Sequence, residues 1–148
     1  MSNPDKNIQN EMAQAEFKLC QEQIDKYDAA LDHIRTWTIT LWIATLGWSF
    51  QTKRQEVVLL SLVAVIIFWL LDAINKSFRE DYKIRRNQIA VALEQLFNQG
   101  TLPEGFSSPR LPAHERLFSQ TLRVMFYFHT ALVYVVLLII SLLLYLQI

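Results

Sequence analysis

Polar and apolar residues are sorted along this chain into long blocks. Apolar side chains concentrate in residues 37–50, 57–74 and 124–148, and the segments between are dense in Lys, Arg, Asp, Glu, Asn and Gln. A water-soluble domain interleaves the two classes at helical or strand spacing, so that each element has a wet and a dry face; a bilayer demands segregation. The pattern predicts an all-α membrane protein with three transmembrane helices, two of them extended into a cytosolic helical hairpin.

The last block, Val124 to Ile148, runs 25 residues without Asp, Glu, Lys or Arg. At about 1.5 Å per residue it is long enough to cross roughly 30 Å of hydrocarbon. The second span, residues 56–75, carries one charge, Asp72, near its end. The first, residues 36–50, is short and holds Thr38, Thr40, Thr45 and Ser49. It reads as a span because only Gln51 to Glu56 separate it from the second, which is hairpin geometry.

Outside the spans the pattern changes to a helical stripe. Ala13, Phe17, Cys20, Ile24, Tyr27, Leu31 and Ile34 recur at alternating spacings of four and three, a coiled-coil seam sustained for three heptads. Neither Gly nor Pro interrupts Asp5 to Leu46, so residues 1–35 are expected as a cytosolic amphipathic helix that continues into the first span. Residues 76–98 continue the second span outward through Phe78, Tyr82, Ile89, Leu93 and Leu96 until Gly100 and Pro103 stop the helix. The two stripes are expected to pack antiparallel on each other, or on the same helices of a second copy. Residues 99–112 form a Gly- and Pro-containing loop, and 113–123 a short amphipathic helix at the membrane surface, with Leu117, Phe118 and Leu122 on one side.

Charge fixes the direction. Fourteen Lys and Arg balance fourteen Asp and Glu, so no bulk field favours nucleic acid, and none is expected as a partner. Twelve of the fourteen basic residues fall in the N-terminal region and between the second and third spans, leaving Lys53 and Arg54 in the hairpin. The positive-inside rule then places the N-terminus in the cytosol and the C-terminus outside. The first 33 residues are polar, so the first span is expected to serve as an uncleaved signal.

Catalytic patterns are missing. His33, His114 and His129 lack metal-ligand spacing, the single cysteine excludes an intramolecular disulfide, and three glycines form no phosphate loop. Arg123 and His129 fit a loose RNase spacing, but the second residue of the pair falls in an apolar span. The chain is expected to be no enzyme and to need neither cofactor nor metal. What stands out is polarity at membrane depth. Asp72 near the cytosolic end of the second span requires a partner or access to water. Either it joins Arg35 and His129 in a cluster that fastens the three spans and responds to pH, or it pairs at the headgroup boundary with Lys76 or Arg79. Thr38, Thr45 and Ser49, with Ser61 and Ala64 opposite, line either a helix–helix contact or a pore. Lys76, Arg79, Lys83, Arg85 and Arg86 form a juxtamembrane basic cluster that either obeys the positive-inside rule or binds anionic headgroups or a nucleotide.

The two-span hairpin, the run Phe68-Trp69-Leu70-Leu71-Asp72-Ala73 and the polar helix from Ser77 to Leu96 resemble small bacterial membrane proteins of unknown function. Over residues 20–98 they are also similar in layout to the two-span effector domains of nucleotide-signalling antiviral defence systems. That resemblance implies a homo-oligomer that perturbs the inner membrane when triggered, and it carries over no binding residue. Two functions are therefore expected to compete. One is an oligomeric pore or membrane-perturbing effector; the other is a non-enzymatic anchor or accessory subunit that recruits a cytosolic protein.

Overall fold

The structure is a computed structural model that describes residues 4–110 and 117–147, with side chains at 7–110, 119, 121–128 and 130–147. Four helices account for nearly all of it: α1 Pro4–Thr52, α2 Gln55–Gln99, α3 Leu117–Met125 and α4 Phe128–Tyr145. No strand occurs among the described residues, so the protein is all-α. Among the described residues one helix, α2, is long and apolar enough to cross a membrane, and Thr130–Tyr145 is a shorter apolar helical stretch.

The helix ends follow local chemistry. The α1–α2 connection is tighter than the Gln51–Glu56 segment expected, because Lys53 takes a left-handed φ of 50° and reverses the chain within two residues. Ser49 Oγ donates to the Arg54 carbonyl at 3.1 Å and so closes the turn from inside. At the far end of α2, Gly100 has φ 70° and its N–H donates to the Leu96 carbonyl at 2.9 Å, a glycine stop of the expected kind. In the following loop Gly105, at φ 78°, allows the turn in which Phe106 N–H reaches the Pro103 carbonyl.

The surface helix expected over 113–123 is described from Leu117 and extends to Met125; residues 113–116 lie outside the described residues. The helix expected to begin at Val124 begins at Phe128 instead, after a break at Phe126 and Tyr127. Side chains from α2 hold this break. Trp69 Nε1 donates to the Met125 carbonyl at 3.1 Å, Lys76 Nζ donates to Thr130 Oγ1 at 2.6 Å, and the same ammonium sits 5.6 Å from the centre of the Tyr127 ring.

Two compact units make up the chain: unit 1 comprises Met1–Asp28 and Phe78–Glu115, and unit 2 Ala29–Ser77 and Arg116–Ile148. In unit 1, Ala13, Cys20 and Ile89 form the core, with Phe17, Tyr82, Leu93 and Phe106 packed on it. Side-chain pairs there run in opposite order along the two helices, Glu16 with Arg85 and Asp28 with Arg79, which makes the packing antiparallel within one copy. Unit 2 centres on Val65, Trp69, Tyr134 and Leu137, with Trp42, Phe68 and Met125 against them. The Tyr134 ring stacks on Trp69 at 5.9 Å between centroids.

Candidate functional site

Of the polar groups expected at depth in unit 2, Asp72 is buried and Arg35 is half-buried beside it. Asp72 is fully buried, and Arg35 Nη2 approaches its Oδ2 at 3.7 Å. Lys76 and Tyr134 are its other polar neighbours. Among the described residues, neither Asp72 oxygen nor the Tyr134 hydroxyl has a hydrogen-bond partner. Two of the three expected members, Asp72 and Arg35, thus face each other; the side chain of His129 lies outside the described residues. Arg79, proposed as an alternative partner for Asp72, is engaged in unit 1 instead.

The candidate pore-lining hydroxyls serve their own helices. Thr38, Ser49 and Ser61 are buried in the single chain and Thr45 is half-buried. Thr38 donates to the Ile34 carbonyl at 2.7 Å, Thr45 to Leu41 at 2.8 Å, and Ser61 to Val58 at 2.7 Å. Such back-bonding removes the cost of a hydroxyl in an apolar setting and lets backbones approach. Besides Thr130, which accepts from Lys76, Ser141 reaches across helices: its Oγ accepts from Trp42 Nε1 at 2.7 Å and donates to the Leu137 carbonyl at 2.8 Å. Large apolar side chains meanwhile face outward on every helix of the unit, including Ile43 of α1, Ile66 and Ile67 of α2, and Ile139 and Leu143 of α4. Exposed aromatics stand near its ends: Trp37 and Phe128 at one, Trp48 and Phe50 at the other.

Unit 1 follows the heptad stripe. Cys20, Ile24 and Leu31 are buried, and Phe17, Tyr27 and Ile34 are half-buried, with Leu31 and Ile34 already within unit 2. Tyr27 stacks on Phe78 at 6.1 Å and meets Tyr82 at 5.9 Å. The basic cluster is spent on internal contacts. Arg79 Nε lies 2.5 Å from Asp28 Oδ1, Lys83 pairs with Glu80 at 3.4 Å, and Arg86 donates to the Gln21 side chain at 3.0 Å. With Lys76 held by Thr130 and Arg85 by Glu16, all five cations have partners.

Glu16 was not among the residues singled out from the sequence, and Arg85 was only as a member of the basic cluster; their pair is the most elaborate polar contact among the described residues. Arg85 donates from Nε and Nη2 to the two carboxylate oxygens at 2.7 and 3.1 Å, with both side chains about nine-tenths buried. Ser108 Oγ and the Arg110 backbone N–H donate to the same carboxylate. Arg85 also reaches the Ser107 carbonyl at 2.7 Å, and the Phe106 ring lies 5.5 Å from its guanidinium. The pair therefore fastens the loop after α2 to both long helices. Burial opposes the charge on Glu16, but the donated hydrogen bonds and the guanidinium outweigh it and hold the carboxyl below its ordinary range. Next to it Cys20 is pushed the other way, mainly by burial and then by the Glu16 charge, so its thiol stays protonated and unreactive. Beside both, a shallow apolar cavity of about 250 Å³ opens between Met12, Leu19, Tyr82 and Pro109.

A sequence signal for this pair did exist. Arg85 stands at the one position missing from the apolar stripe between Tyr82 and Ile89, and Glu16 stands between Ala13 and Cys20. A cation in the seam of one helix and a carboxylate flanking the seam of the helix packed antiparallel to it mark a candidate pair. No group of three or more His, Cys, Asp or Glu capable of holding a metal ion occurs among the described residues. No family model, curated protein or solved structure matches the chain.

Proposed function

We propose that the protein is a non-enzymatic integral membrane protein whose unit 2 crosses the bilayer three times and anchors unit 1 at the cytosolic face to recruit a protein partner. One observation carries this reading: unit 2 buries Thr38, Ser49, Ser61, Asp72, Thr130 and Ser141 while turning Ile, Leu and Val outward on α1, α2 and α4. In water that arrangement exposes a continuous apolar surface far beyond what a soluble monomer carries. In lipid it is the favourable one, because hydrocarbon outside rewards nothing polar and packing inside is tightened by small hydroxyl residues. The placement of Lys and Arg supports a cytosolic N-terminus. The conversion of all four Thr and Ser candidates to backbone-bonded groups, three of them fully buried, favours an anchor over a pore running through one copy.

The second reading is a pore formed between copies, with the defence-effector role that the resemblance implies. It is favoured by Thr36, Thr40, Ala44 and Gly47, small residues exposed on one face of α1 where a neighbouring helix can approach closely. Inducing the full chain in cells loaded with a membrane-potential dye separates the two. Carbonate-resistant membrane association with an unchanged potential is the anchor result; depolarisation selects the pore, and extraction by carbonate removes the membrane reading altogether.

A further inference from the structure

The five cations between Lys76 and Arg86 are all bonded within the chain, whereas Lys53 and Arg54 are not. These two residues are the whole of the α1–α2 turn, both are exposed, and neither side chain has a hydrogen bond or ion pair among the described residues. The positive-inside rule disfavours basic residues in an outer hairpin, so two of them together there need a reason. Their backbone is fixed by the left-handed Lys53 and by the Ser49 hydrogen bond to the Arg54 carbonyl.

The turn borders a concavity of about 670 Å³ walled by Trp48, Thr52, Glu56, Val57 and Leu60. Its apolar wall belongs to the outward face of unit 2: Trp48 is 54% exposed and Leu60 53%. Cations at the turn, with an exposed indole and an exposed leucine about one to two helical turns further along α1 and α2, pair a charged rim with an apolar wall, as a phospholipid pairs its phosphate with acyl carbons. Lys53, Arg54 and Glu56 together carry a single positive charge, the complement of one phosphodiester.

We propose that the α1–α2 turn is a binding site for the phosphate headgroup of a membrane phospholipid, with Lys53 and Arg54 on the phosphate and the exposed Trp48 and Leu60 along the lipid stem. This rests on unit 2 lying in the bilayer, and the test keeps the two claims apart. The full chain is reconstituted in nanodiscs of phosphatidylglycerol mixed equally with a diacyl galactolipid of the same chains, and lipids retained after mild delipidation are counted by native mass spectrometry. Wild type retains phosphatidylglycerol over galactolipid; the double variant Lys53→Gln/Arg54→Gln loses that preference by about tenfold. Arg123→Gln, on α3, leaves it unchanged, and excess inorganic phosphate does not displace the lipid. Equal retention of the two lipids, an unaltered preference in the double variant, or displacement by phosphate overturns the site while the chain still enters nanodiscs. Failure to enter nanodiscs overturns the membrane reading and the site with it. Helix content by circular dichroism, equal in all variants, excludes misfolding as the cause of a loss.

Discussion

Unit 1 keeps Ala13, Cys20, Ile24, Ile89 and Ala92 inside and pairs its charges, Asp28 with Arg79 at the flank and Glu16 with Arg85 buried; unit 2 keeps hydroxyls and a carboxylate inside and turns large aliphatic side chains outward. Both contain stretches of the same two long helices, to which unit 2 adds α3 and α4, so helical geometry alone does not distinguish them. The distinction is which groups are hidden. In water each Å² of apolar surface buried is worth about 25 cal/mol, and a seam of apolar side chains suffices to hold a helix pair. In hydrocarbon that term vanishes between helices, and close packing and interhelical hydrogen bonds such as Trp42 to Ser141 must replace it. The same change of residue should therefore have opposite consequences in the two units.

The largest effect is expected at the Glu16–Arg85 pair. Glu16→Ala or Arg85→Ala leaves one buried charge without its partner, which costs about 3–5 kcal/mol. Amide exchange should accelerate across residues 100–110, whose contacts with α1 run through Glu16, while exchange in α4 stays as it was. Replacing both residues by Leu and Met should recover most of the loss, because a well-packed apolar pair matches a buried ion pair. Equal destabilisation of both units by the single variants would remove the distinction drawn between them.

Next in size is a charge placed on the outer face of unit 2. Ile66, on α2, is 50% exposed. Ile66→Lys on a soluble bundle would be nearly silent; near the middle of a membrane helix it costs about 2.5–3.5 kcal/mol. Val91, 61% exposed on the unit 1 stretch of α2, is the matched control, and Val91→Lys should change stability by no more than about 0.5 kcal/mol. Membrane insertion yield and melting in detergent measure both. If Ile66→Lys is as silent as Val91→Lys, unit 2 does not face lipid.

The helices and the two burial regimes were legible from the sequence because they rest on periodicity and on the absence of Gly and Pro, both local properties. The stripe from Ala13 to Ile34 locates the inner face of α1, and Gly100 marks the end of α2. The break at Phe126 and Tyr127 was not legible, since no helix breaker stands there; it depends on Trp69 and Lys76, more than fifty residues earlier in the chain. The Glu16 site was missed for a related reason. An apolar stripe is read from the residues that fit it, and a buried ion pair occupies positions that do not. The hydroxyls of α1 were recognised as special, but only the structure assigns their donors to backbone carbonyls.

A smaller effect sharpens the account of unit 2. The Trp42–Ser141 hydrogen bond joins α1 to α4, and a double-mutant cycle with Trp42→Phe and Ser141→Ala should return a coupling of about 0.6 kcal/mol, and at most about 1.7. Ser61→Ala, which removes only a bond within α2, should cost less than that coupling. A coupling well above the range would mean that the interior of unit 2 excludes alternative partners more completely than a lipid-facing bundle does.

The smallest expected effect is the pH dependence of unit 1. The Glu16 carboxyl titrates below its free value of 4.5 in the folded protein, so as pH falls the unfolded chain takes up its proton first. The stabilisation is therefore full above 4.5 and is lost as pH drops through the lower folded value. Cys20 and Tyr82, raised by burial from 9.0 and 10.0, bound the other side: they favour the folded state fully below those values and cease to do so as pH rises past them. Cys20 is the only cysteine and is 1% exposed, so its modification reports opening of unit 1 alone. With a dipyridyl disulfide, which reacts at acid pH, the labelling rate relative to a free thiol should rise as pH falls below 4.5 in wild type. Glu16→Gln should label faster at neutral pH and show a flatter acid limb, because the group that titrates is gone while a hydrogen-bond acceptor for Arg85 remains. An acid limb just as steep in Glu16→Gln would assign the titration to another carboxyl and leave the clamp as a purely geometric fastening of the loop.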